Sequence, residues 1–571
     1  MKLCLRSILG VMLLLLPVHT TYAILRGRTF LSPRSQSTHA ERELVGWQDK
    51  INLYVDDCVN YGCITAMPLY SRTIKPDHIT EYFFGKECLQ VSGSQVPDRG
   101  SDDLLADYFG LPLDYQSTLT FDPTVQNILV DLDWYAGLDA WYPGLYVRAH
   151  APIVHTMWTM GLRETVINAG TQGAPAGYMA HQALVRGDMN HDMLEYFKGG
   201  KQVGDIEPLD YGKICGTRCH NGLSDIQVVC GWNFVNAWDH HFGFNLRTAI
   251  PTGNKSHARY FFEPIVGNGG RWELGFGLTG HTVMYESFSG ADACALYGDM
   301  NVTHLFSSWQ KRSFDFRKNR TLSRYMLIQD LGTPIVQGLQ VGDQTVAQQY
   351  HGVLMPAINQ TTLEASFGIA LQVDLVIKFA YMHHGFSFDV GYNLWGRTAE
   401  SFHCRERFPD NAYAVKGDAQ VYGFHEVSGR FVALNATESE ATIHAGQKGG
   451  NVEFANSNVD NSVDQATKDP LYATFELDDT SELVTTIGGS NFIRGSQPSI
   501  LLTDKDIDNL SAAASAALSN SFFVHINHTW QRATALPFVG VGTEVSLDGG
   551  SKRRHGALSE CAVWVKGGVA Y

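Results

Sequence analysis

The sequence has few charged residues and, after its first 23 residues, no long uninterrupted apolar run. Only 18% of its 571 residues are Asp, Glu, Lys or Arg, which is below the usual ~25%. Aromatic residues make up 11%, which argues against a disordered chain. Membrane-crossing helices need about 20 apolar residues in succession and are therefore not expected. The formal net charge of -15 argues against a nucleic-acid partner, which would require a basic face.

Motifs of common enzymes are also missing. The sequence contains no Gly-x-Ser-x-Gly, no phosphate-binding Walker loop and no His-Glu-x-x-His. Residues 275–280 have the spelling of a dinucleotide fingerprint, but they lie inside an alternating strand pattern and not at a strand-to-helix turn. Residues 188–199 begin like a calcium loop but lack its glycine and its bidentate glutamate. We therefore predict no enzyme activity, no catalytic residue, no cofactor and no metal.

The N-terminus has the pattern of a secretory signal peptide. Lys2 and Arg6 precede an apolar stretch, Ile8–Val18, and Thr21–Ala23 fits a small-residue cleavage site. A membrane anchor is the weaker alternative, because the apolar stretch is too short to span a bilayer. The predicted signal peptide is residues 1–23, and residues 24–60 are expected to form a periplasmic N-terminal segment with one short helix near Ser37–Val45.

Most of the remaining chain alternates apolar and polar residues. Clear examples are Ile128–Leu138, Leu363–Tyr381 and Phe386–Leu394. Such alternation predicts strands with one apolar and one polar face. A soluble sandwich would turn the apolar face inward, whereas an outer-membrane barrel would turn it towards lipid.

Strand length and two local resemblances favour the barrel. Leu363–Tyr381 is far longer than the 5–6 residues usual for soluble strands. The last strand, Cys561–Tyr571, ends on an aromatic residue and resembles the closing strand of bacterial outer-membrane barrels. Phe242–Gly253 resembles the strand-then-Pro-Thr-Gly segment of porin-like outer-membrane transporters, and Gly222–Ile226 resembles the opening of a neighbouring strand in them. These resemblances imply location in the outer membrane of a Gram-negative-type bacterium.

The predicted fold is therefore all-β: a large transmembrane antiparallel β-barrel over residues 61–571, with short helices in the N-terminal segment and in one external loop. We expect roughly 14–18 strands, with an aqueous channel at the upper end of that range. Residues 412–424 and 429–434 are both expected to be barrel strands. The external-loop helix is predicted at Asp504–Leu518.

Both termini are expected in the periplasm, with short periplasmic turns and long external loops. Residues 382–385 and 531–537 are the predicted turns. Residues 548–560 and about 436–520 are the predicted external loops.

The resemblance and the polar strand faces predict a porin-like channel for passive diffusion of small hydrophilic solutes or ions. The alternative is a non-conducting surface barrel whose external loops bind a host or partner. Expected partners are outer-membrane lipid and lipopolysaccharide, and the barrel could form a homo-oligomer. The candidate pore-lining residues are Asp131, Asp133, Arg148, Arg247, Glu273, Asp374, Lys378, Asp389, Glu544 and Lys566.

A basic run is the strongest cluster of charge in the sequence. Its side chains could form an anion-attracting constriction in the pore or contact lipopolysaccharide phosphates, which Lys and Arg bind well. A solvated loop is the third alternative. The run contains Lys311, Arg312, Arg317, Lys318 and Arg320, followed by Arg324.

Overall fold

The structure is a computed structural model of the 571-residue chain. It describes residues 27–571 except 48–49, 55–59, 98, 175–177, 181, 289–291, 331–338, 342–343, 347–351, 417–425, 428–429, 432–440, 445–472, 478–482, 488–489, 494–500, 531–534 and 550–555. The predicted signal peptide lies outside the described residues.

Long antiparallel strands form the body of the molecule, as the period-two pattern predicts. Neighbouring strands pair in chain order, and the first strand pairs with the last, so that Cys63 faces Ala570 and Thr73 faces Glu560. The result is a closed 12-strand barrel. Its strands are β1 (Tyr61–Thr73), β2 (Thr124–Gly137), β3 (Leu145–Thr159), β4 (Ile226–Asn236), β5 (His240–Ile250), β6 (Glu273–Glu286), β7 (Asp292–Ser313), β8 (Thr362–His383), β9 (Phe386–Arg397), β10 (Ala517–Thr529), β11 (Leu536–Asp548) and β12 (Glu560–Ala570).

The all-β barrel is confirmed, but the wall has 12 strands where roughly 14–18 were expected from the channel-forming range. One reason is strand length, because β7 and β8 each take 22 residues. A second reason is that the described residues between 412 and 434 add no strand to the wall, while much of the strands expected at 412–424 and 429–434 lies outside the described residues. Tyr413–Val415 pairs with Leu327–Asp330 outside the barrel, and Glu426–Val427 pairs only with Arg430–Phe431.

The two ends of the barrel differ in the length of their connections. Short connections, at 138–144, 237–239, 287–291, 384–385 and 530–535, all lie at one end, which we call the short-turn end. The other end, called the long-loop end, carries the connections 74–123, 160–225, 251–272, 314–361, 398–516 and 549–559. This is the predicted asymmetry, although the loop before β10 spans 398–516 and not 436–520.

The long connections fold together into an outer cap over the long-loop end. Thr217–Leu223 and Glu400–Arg405 extend the sheet by pairing with β3 and β8. The remaining strands outside the wall are Cys88–Ser92, Leu104–Leu105, Gln116–Thr120, Arg163–Asn168, Asp315–Phe316, Leu327–Asp330, Leu339–Val341, Gln344–Val346, Leu354–Pro356, Tyr413–Val415, Glu426–Val427, Arg430–Phe431, Ala473–Leu477, Leu483–Ile487, Ser490–Ile493 and Ile507–Asp508.

Helices among the described residues are few and short. They are α1 (Ala40–Leu44), α2 (Pro76–Phe84), α3 (Met193–Lys198) and α4 (Ile358–Thr361). The helix expected near Ser37–Val45 is present as α1. The helix expected at Asp504–Leu518 is wrong, because this region forms a 3₁₀ turn, a two-residue strand and the start of β10. No helix among the described residues is long and apolar enough to cross a membrane.

The two faces of the wall differ in polarity. The outward positions carry exposed apolar side chains such as Leu132, Phe244, Phe276, Val390 and Val565. At mid-height, the described strands place no ionised side chain on this outer face, and the outward charged residues Arg72, Glu286 and Asp292 lie near strand ends. The inner face carries the charged and polar residues. The molecule is therefore neither two stacked sheets nor a barrel with an apolar core along its length.

Candidate functional site: the plugged lumen

The interior of the barrel is occupied by the N-terminal segment. At the long-loop end, the Thr29 backbone N–H donates to the carbonyl of Ser511 at 3.0 Å. At the short-turn end, the Asn52 N–H donates to the Tyr135 hydroxyl at 3.1 Å. Residues 27–54 therefore run through the barrel from end to end, and we call them the plug. Sequence analysis placed the segment 24–60 in the periplasm, whereas its described residues from 27 to 52 contact the inner face of the wall and the cap.

All ten candidate pore-lining residues lie on the inner face of the wall. None is more than 9% exposed, so they are covered and do not face open water. They sit on eight strands of the barrel and surround the plug: Asp131 and Asp133 on β2, Arg148 on β3, Arg247 on β5, Glu273 on β6, Asp374 and Lys378 on β8, Asp389 on β9, Glu544 on β11 and Lys566 on β12.

Two wall carboxylates bind guanidinium groups of the plug. Arg42 on α1 pairs with Glu544, with its Nη2 atom 2.5 Å from Oε1 and its Nε atom 3.3 Å from Oε2. Arg34 places Nη2 2.9 Å from Oδ2 of Asp374. The Ala40 backbone N–H also donates to Asp374, at 3.0 Å. Both plug cations are thus docked on named positions of β8 and β11.

Wall cations bind the plug in turn. The Glu43 carboxylate lies 3.3 Å from a guanidinium nitrogen of Arg148 and 3.3 Å from one of Arg247. Lys378 donates to the carbonyl of Leu44 at 3.1 Å, and Lys566 donates to the carbonyl of Arg42 at 2.9 Å. These ammonium groups therefore hold the C-terminal half of α1, where helix carbonyls lack partners of their own.

Several wall charges also pair with one another. Arg148 donates two hydrogen bonds to Asp133 on the neighbouring strand. The Lys378 ammonium lies 3.4 Å from Asp389. Arg247 donates to the side-chain oxygen of Gln227 at 2.9 Å. The lumen is thus a two-layer ionic network, with contacts within the wall and contacts between wall and plug.

A glycine lets the plug approach the wall directly after α1. Gly46 has φ +79°, and its N–H donates to Asp389 at 3.1 Å. A Cβ atom at this position would lie 2.6 Å from the Nε2 atom of His525. The adjacent Trp47 is fully buried, with the Arg148 guanidinium 4.9 Å and the Lys566 ammonium 4.6 Å from its ring centre. Both the turn and the ring depend on close contact between plug and wall.

The spaces left beside the plug are small. One cavity of about 40 Å³ lies between plug residues such as Arg42 and wall residues such as Ser71, Asn127 and Ser519. Another of about 10 Å³ lies between Glu43 and Arg247. One water needs about 10–15 Å³ of such space, so the first cavity holds a few waters and the second about one. The lumen is closed at these levels, in contrast to the aqueous lumen predicted from the sequence.

The basic run divides in the structure. Arg312 is buried beneath the cap, and its Nη1 atom lies 2.6 Å from Oε2 of Glu400. Arg324 is also buried and pairs with Asp315 at 2.9 Å. Lys311 is half-buried and donates to the Tyr211 hydroxyl at 2.9 Å. Only the last group, Arg317, Lys318 and Arg320, is exposed, so the run as a whole does not form one pore constriction.

Glu400 organises the polar contacts between the cap and the end of the barrel. Arg271 and Arg312 each approach its carboxylate within 2.6 Å. Burial would raise the pKa of Glu400, but the two guanidinium groups more than offset burial and hold that pKa well below its ordinary value. The Arg312 guanidinium also stacks 3.5 Å from the ring centre of Phe30 on the plug. This cluster therefore joins cap, wall and plug.

One group of residues among those described has metal-ligand chemistry. His39, Glu41 and Glu544 each offer a ligand atom within 4.8 Å of the others. However, Arg42 already pairs with Glu544 and Arg34 pairs with Glu41. A metal ion would have to displace both guanidinium groups, so we assign none here. Elsewhere, Cys215 and Cys219, a plausible pair by spacing, form no disulfide.

Sequence reasoning missed the plug residues that complete the site, namely Arg34, Arg42 and Glu43. The sequence contained a signal for these residues. In a chain poor in charge, the short helix alternates acidic and basic residues, as HAEREL at positions 39–44. Such a helix is suited to a charged lumen. The signal was not used because the segment precedes the first strand and was assigned to the periplasm.

Comparisons with known proteins give distant likenesses only. No family model and no curated protein matches the chain. An outer membrane channel from Pseudomonas putida F1 is 8% identical over 90% of this chain and 99% of that chain, with a TM-score of 0.31. A FadL homologue of Pseudomonas aeruginosa is 6% identical over 90% and 89%, with a TM-score of 0.23. The transport unit of the autotransporter AIDA-I from Escherichia coli is 6% identical over 90% and 92%, with a TM-score of 0.20.

TM-scores of this size carry no weight for function, and the assignment of the fold rests on the strand pairing of the chain itself. That pairing, with the apolar outer face, confirms the architecture that the resemblance implied. The chain is a closed, antiparallel, 12-strand β-barrel of the outer-membrane type, with its own N-terminal segment inside.

Proposed function

We propose that this protein is an outer-membrane channel for small hydrophilic solutes or ions, and that residues 27–54 are its gate. The structure corresponds to the closed state. Passage requires the plug to leave its contacts with the wall, so the channel differs from the permanently open porin expected from the sequence. No residue is given an enzymatic role.

The outer face of the wall supports membrane insertion. A continuous band of exposed apolar side chains in water would be a large aggregation liability. In a bilayer the same band faces acyl chains, while the closed sheet satisfies every strand hydrogen bond. The long-loop end is then the external end. We propose that its exposed basic residues Arg317, Lys318 and Arg320 contact lipopolysaccharide phosphates, which Lys and Arg bind well.

The observation that carries the gate proposal is the chemistry of the contact between plug and wall. Within the barrel, the plug is held by ion pairs and hydrogen bonds such as Arg42–Glu544, Arg34–Asp374 and Glu43–Arg247. Polar groups released from such pairs are rehydrated by water that enters the lumen, while opening also exposes two apolar clusters in which Leu44, Val45 and Trp47 pack against the wall. The wall left behind is charged and polar, as a solute path requires.

Planar-bilayer recording tests this function. We expect the full chain to be closed for most of the time and a variant lacking residues 27–50 to show stable conductance steps. Heat-modifiable gel mobility of both proteins controls for barrel integrity. A matched control is Lys86→Met, which removes an exposed pair with Asp102 far from the lumen. An intact barrel without conductance in the deletion variant would reject the channel.

One observation favours a second function, a non-conducting surface barrel that binds a host or partner. The outer cap has its own apolar core, which includes Phe83, Phe109, Tyr196 and Phe316. A rigid cap of this kind suits presentation of an external binding surface. The same recordings separate the two functions, because a surface barrel stays silent after the plug is removed.

A further inference from the structure

When the plug leaves the lumen, the wall carboxylates that bound its guanidinium groups keep different numbers of hydrogen-bond donors. Asp374 keeps one wall donor, the side-chain amide of Asn393 at 2.6 Å. Glu544 accepts from Arg42 of the plug, and among the described residues no wall side chain is seen to donate to it. Removal of the plug thus takes the guanidinium partner from both carboxylates.

Two of the four wall cations keep an acidic partner without the plug. Arg148 keeps its two hydrogen bonds to Asp133, and Lys378 keeps Asp389. Arg247 loses Glu43 and keeps only the neutral side chain of Gln227, and Lys566 loses the carbonyl of Arg42. Opening therefore frees the carboxylates of Asp374 and Glu544, and the sign of the open lumen is set by its whole inner face.

The overall charge of the ten inner-face candidates is negative. They comprise Asp131, Asp133, Glu273, Asp374, Asp389 and Glu544 against Arg148, Arg247, Lys378 and Lys566. Residues 27–54 carry Arg28, Arg34, Arg42 and Lys50 against Glu41, Glu43 and Asp49, a net charge of +1. Arg28 is bound at the cap, to the carbonyl of Leu510, so the plug adds little net charge to the lumen and the open wall is anionic.

The Arg42–Glu544 pair has the geometry of a ligand bound to a carboxylate. Arg42 presents two nitrogens, Nε and Nη2, to the two oxygens of Glu544. Paired N–H donors on a carboxylate give direction as well as charge, and a planar guanidinium fits this arrangement better than a spherical ion. A cavity of about 40 Å³ adjoins Arg42 and Arg34 on the plug side of these pairs.

We propose that the open lumen selects cations, and that Glu544 and Asp374 are its binding positions for solutes bearing a guanidinium or ammonium group. In the closed state Arg42 and Arg34 occupy these positions. This inference rests on the proposed function, since it describes the lumen after the plug has moved. Gate and solute then compete for the same two carboxylates.

Bilayer recordings on the variant lacking residues 27–50 test the inference. In a KCl gradient we expect a reversal potential that shows K⁺ permeating several-fold better than Cl⁻. Guanidinium ion should reduce the K⁺ current in a saturable way, whereas urea, its neutral planar analogue, should not. Anion selectivity, or equal effects of guanidinium and urea, would overturn the inference while leaving a channel. Absence of any conductance would instead reject the proposed function itself.

Single substitutions in the same deletion variant locate the site. Glu544→Gln should raise the half-blocking concentration of guanidinium about tenfold, because one charge-assisted contact of at least ~1.4 kcal/mol is lost. Asp374→Asn should act in the same direction. The matched control is Glu286→Gln, at an exposed position near the short-turn end, which should leave the block unchanged. Unchanged block in both lumen variants would contradict the assignment of the two carboxylates.

Discussion

The lumen and the outer cap of this barrel are filled in opposite ways. In the lumen, wall and plug meet through buried charges, as in Glu43 between Arg148 and Arg247. In the cap, the long connections pack apolar and aromatic side chains, as in Phe83 against Phe261 with ring centres 4.7 Å apart. The charged contacts of the lumen can be exchanged for water. The apolar contacts of the cap core, like the smaller ones of Leu44, Val45 and Trp47 on the wall, cannot be opened without exposing apolar surface.

This difference assigns different roles to the two regions. A segment held by charges can detach in a charged lumen, because water enters and solvates both sides. A cap with an apolar core is a stable frame that keeps the external end of the lumen in shape. We therefore expect motion in the plug and rigidity in the cap, and the following substitutions are arranged to break or sharpen this contrast.

The largest effect is expected in the cap core. Phe83→Ala removes a fully buried ring and should cost about 3–5 kcal/mol of cap stability through lost burial and a residual cavity. Protease resistance of the cap in graded urea measures this loss. The matched control is Phe288→Ala, since Phe288 is fully exposed at the short-turn end. Equal stability of the two variants would show that the cap has no rigid core.

A smaller effect is expected from an ion pair in the lumen. Arg42→Met leaves Glu544 buried without its guanidinium and should weaken plug docking by about 3 kcal/mol, the lower end for a broken buried pair, because water can enter. Ala40 is buried in the docked plug, so a cysteine placed there (A40C) reacts with maleimide only when the plug undocks. Mass spectrometry of the plug peptide measures the extent of this labelling. Adding Glu544→Gln should restore part of the docking. Slow labelling in all variants would mean that this pair does not hold the plug.

A still smaller effect is expected from a change of the backbone at the turn after α1. Gly46→Ala places a Cβ atom at positive φ and against His525, which should cost about 2 kcal/mol of docking. The same labelling of A40C measures it. Gly187→Ala is the control, because nothing lies within 4 Å of the added atom there. If both glycine variants label alike, the close approach at Gly46 is not needed.

A pH dependence of docking is also expected at the long-loop end. Ser35 donates to Asp225 at 2.8 Å, and burial raises the pKa of Asp225 to about 7 although this hydrogen bond opposes it. A raised pKa favours the protonated carboxyl in the docked state. Docking should therefore be strongest below the ordinary pKa of ~3.9, weaken as pH rises and level off above about 7.

A40C labelling between pH 4 and 8 checks this sign, with labelling of the exposed native Cys88 as the internal reference for thiol reactivity. Asp225→Asn should remove the pH dependence in this interval. Tighter docking at higher pH in the unsubstituted chain would contradict the expectation.

The wall could be predicted from the sequence because its signal is local and repeated. Period-two alternation fixed the inner positions of all ten charged residues, from Asp131 to Lys566, since neighbouring residues of a strand must face opposite sides. The asymmetry of connections followed from the same strand assignments. The strand number did not, because the described residues between 412 and 434 have strand-like composition and only their pairing partners show that they lie outside the wall.

The plug could not be predicted in this way because its position depends on contacts distant in sequence. Arg42 and Glu544 are 502 positions apart, and nothing local to either residue indicates the other. The opposite charges of plug and wall are visible in the sequence only after the lumen is known to be closed. Burial of Arg312 in the basic run has the same origin, since its partner Glu400 is 88 positions away. Arg324 differs, because its partner Asp315 is only 9 positions away.

A reversible tether between plug and wall tests the central claim most directly. The hydroxyl oxygens of Ser37 on the plug and Ser224 beside β4 lie 3.5 Å apart, so the pair Ser37→Cys and Ser224→Cys is placed to form a disulfide. Under a voltage that opens the unsubstituted chain, we predict no conductance when the double variant is oxidised, recovery on reduction, and normal opening of S37C alone. Full conductance of the oxidised, cross-linked protein would contradict a lumen gated by its N-terminal segment.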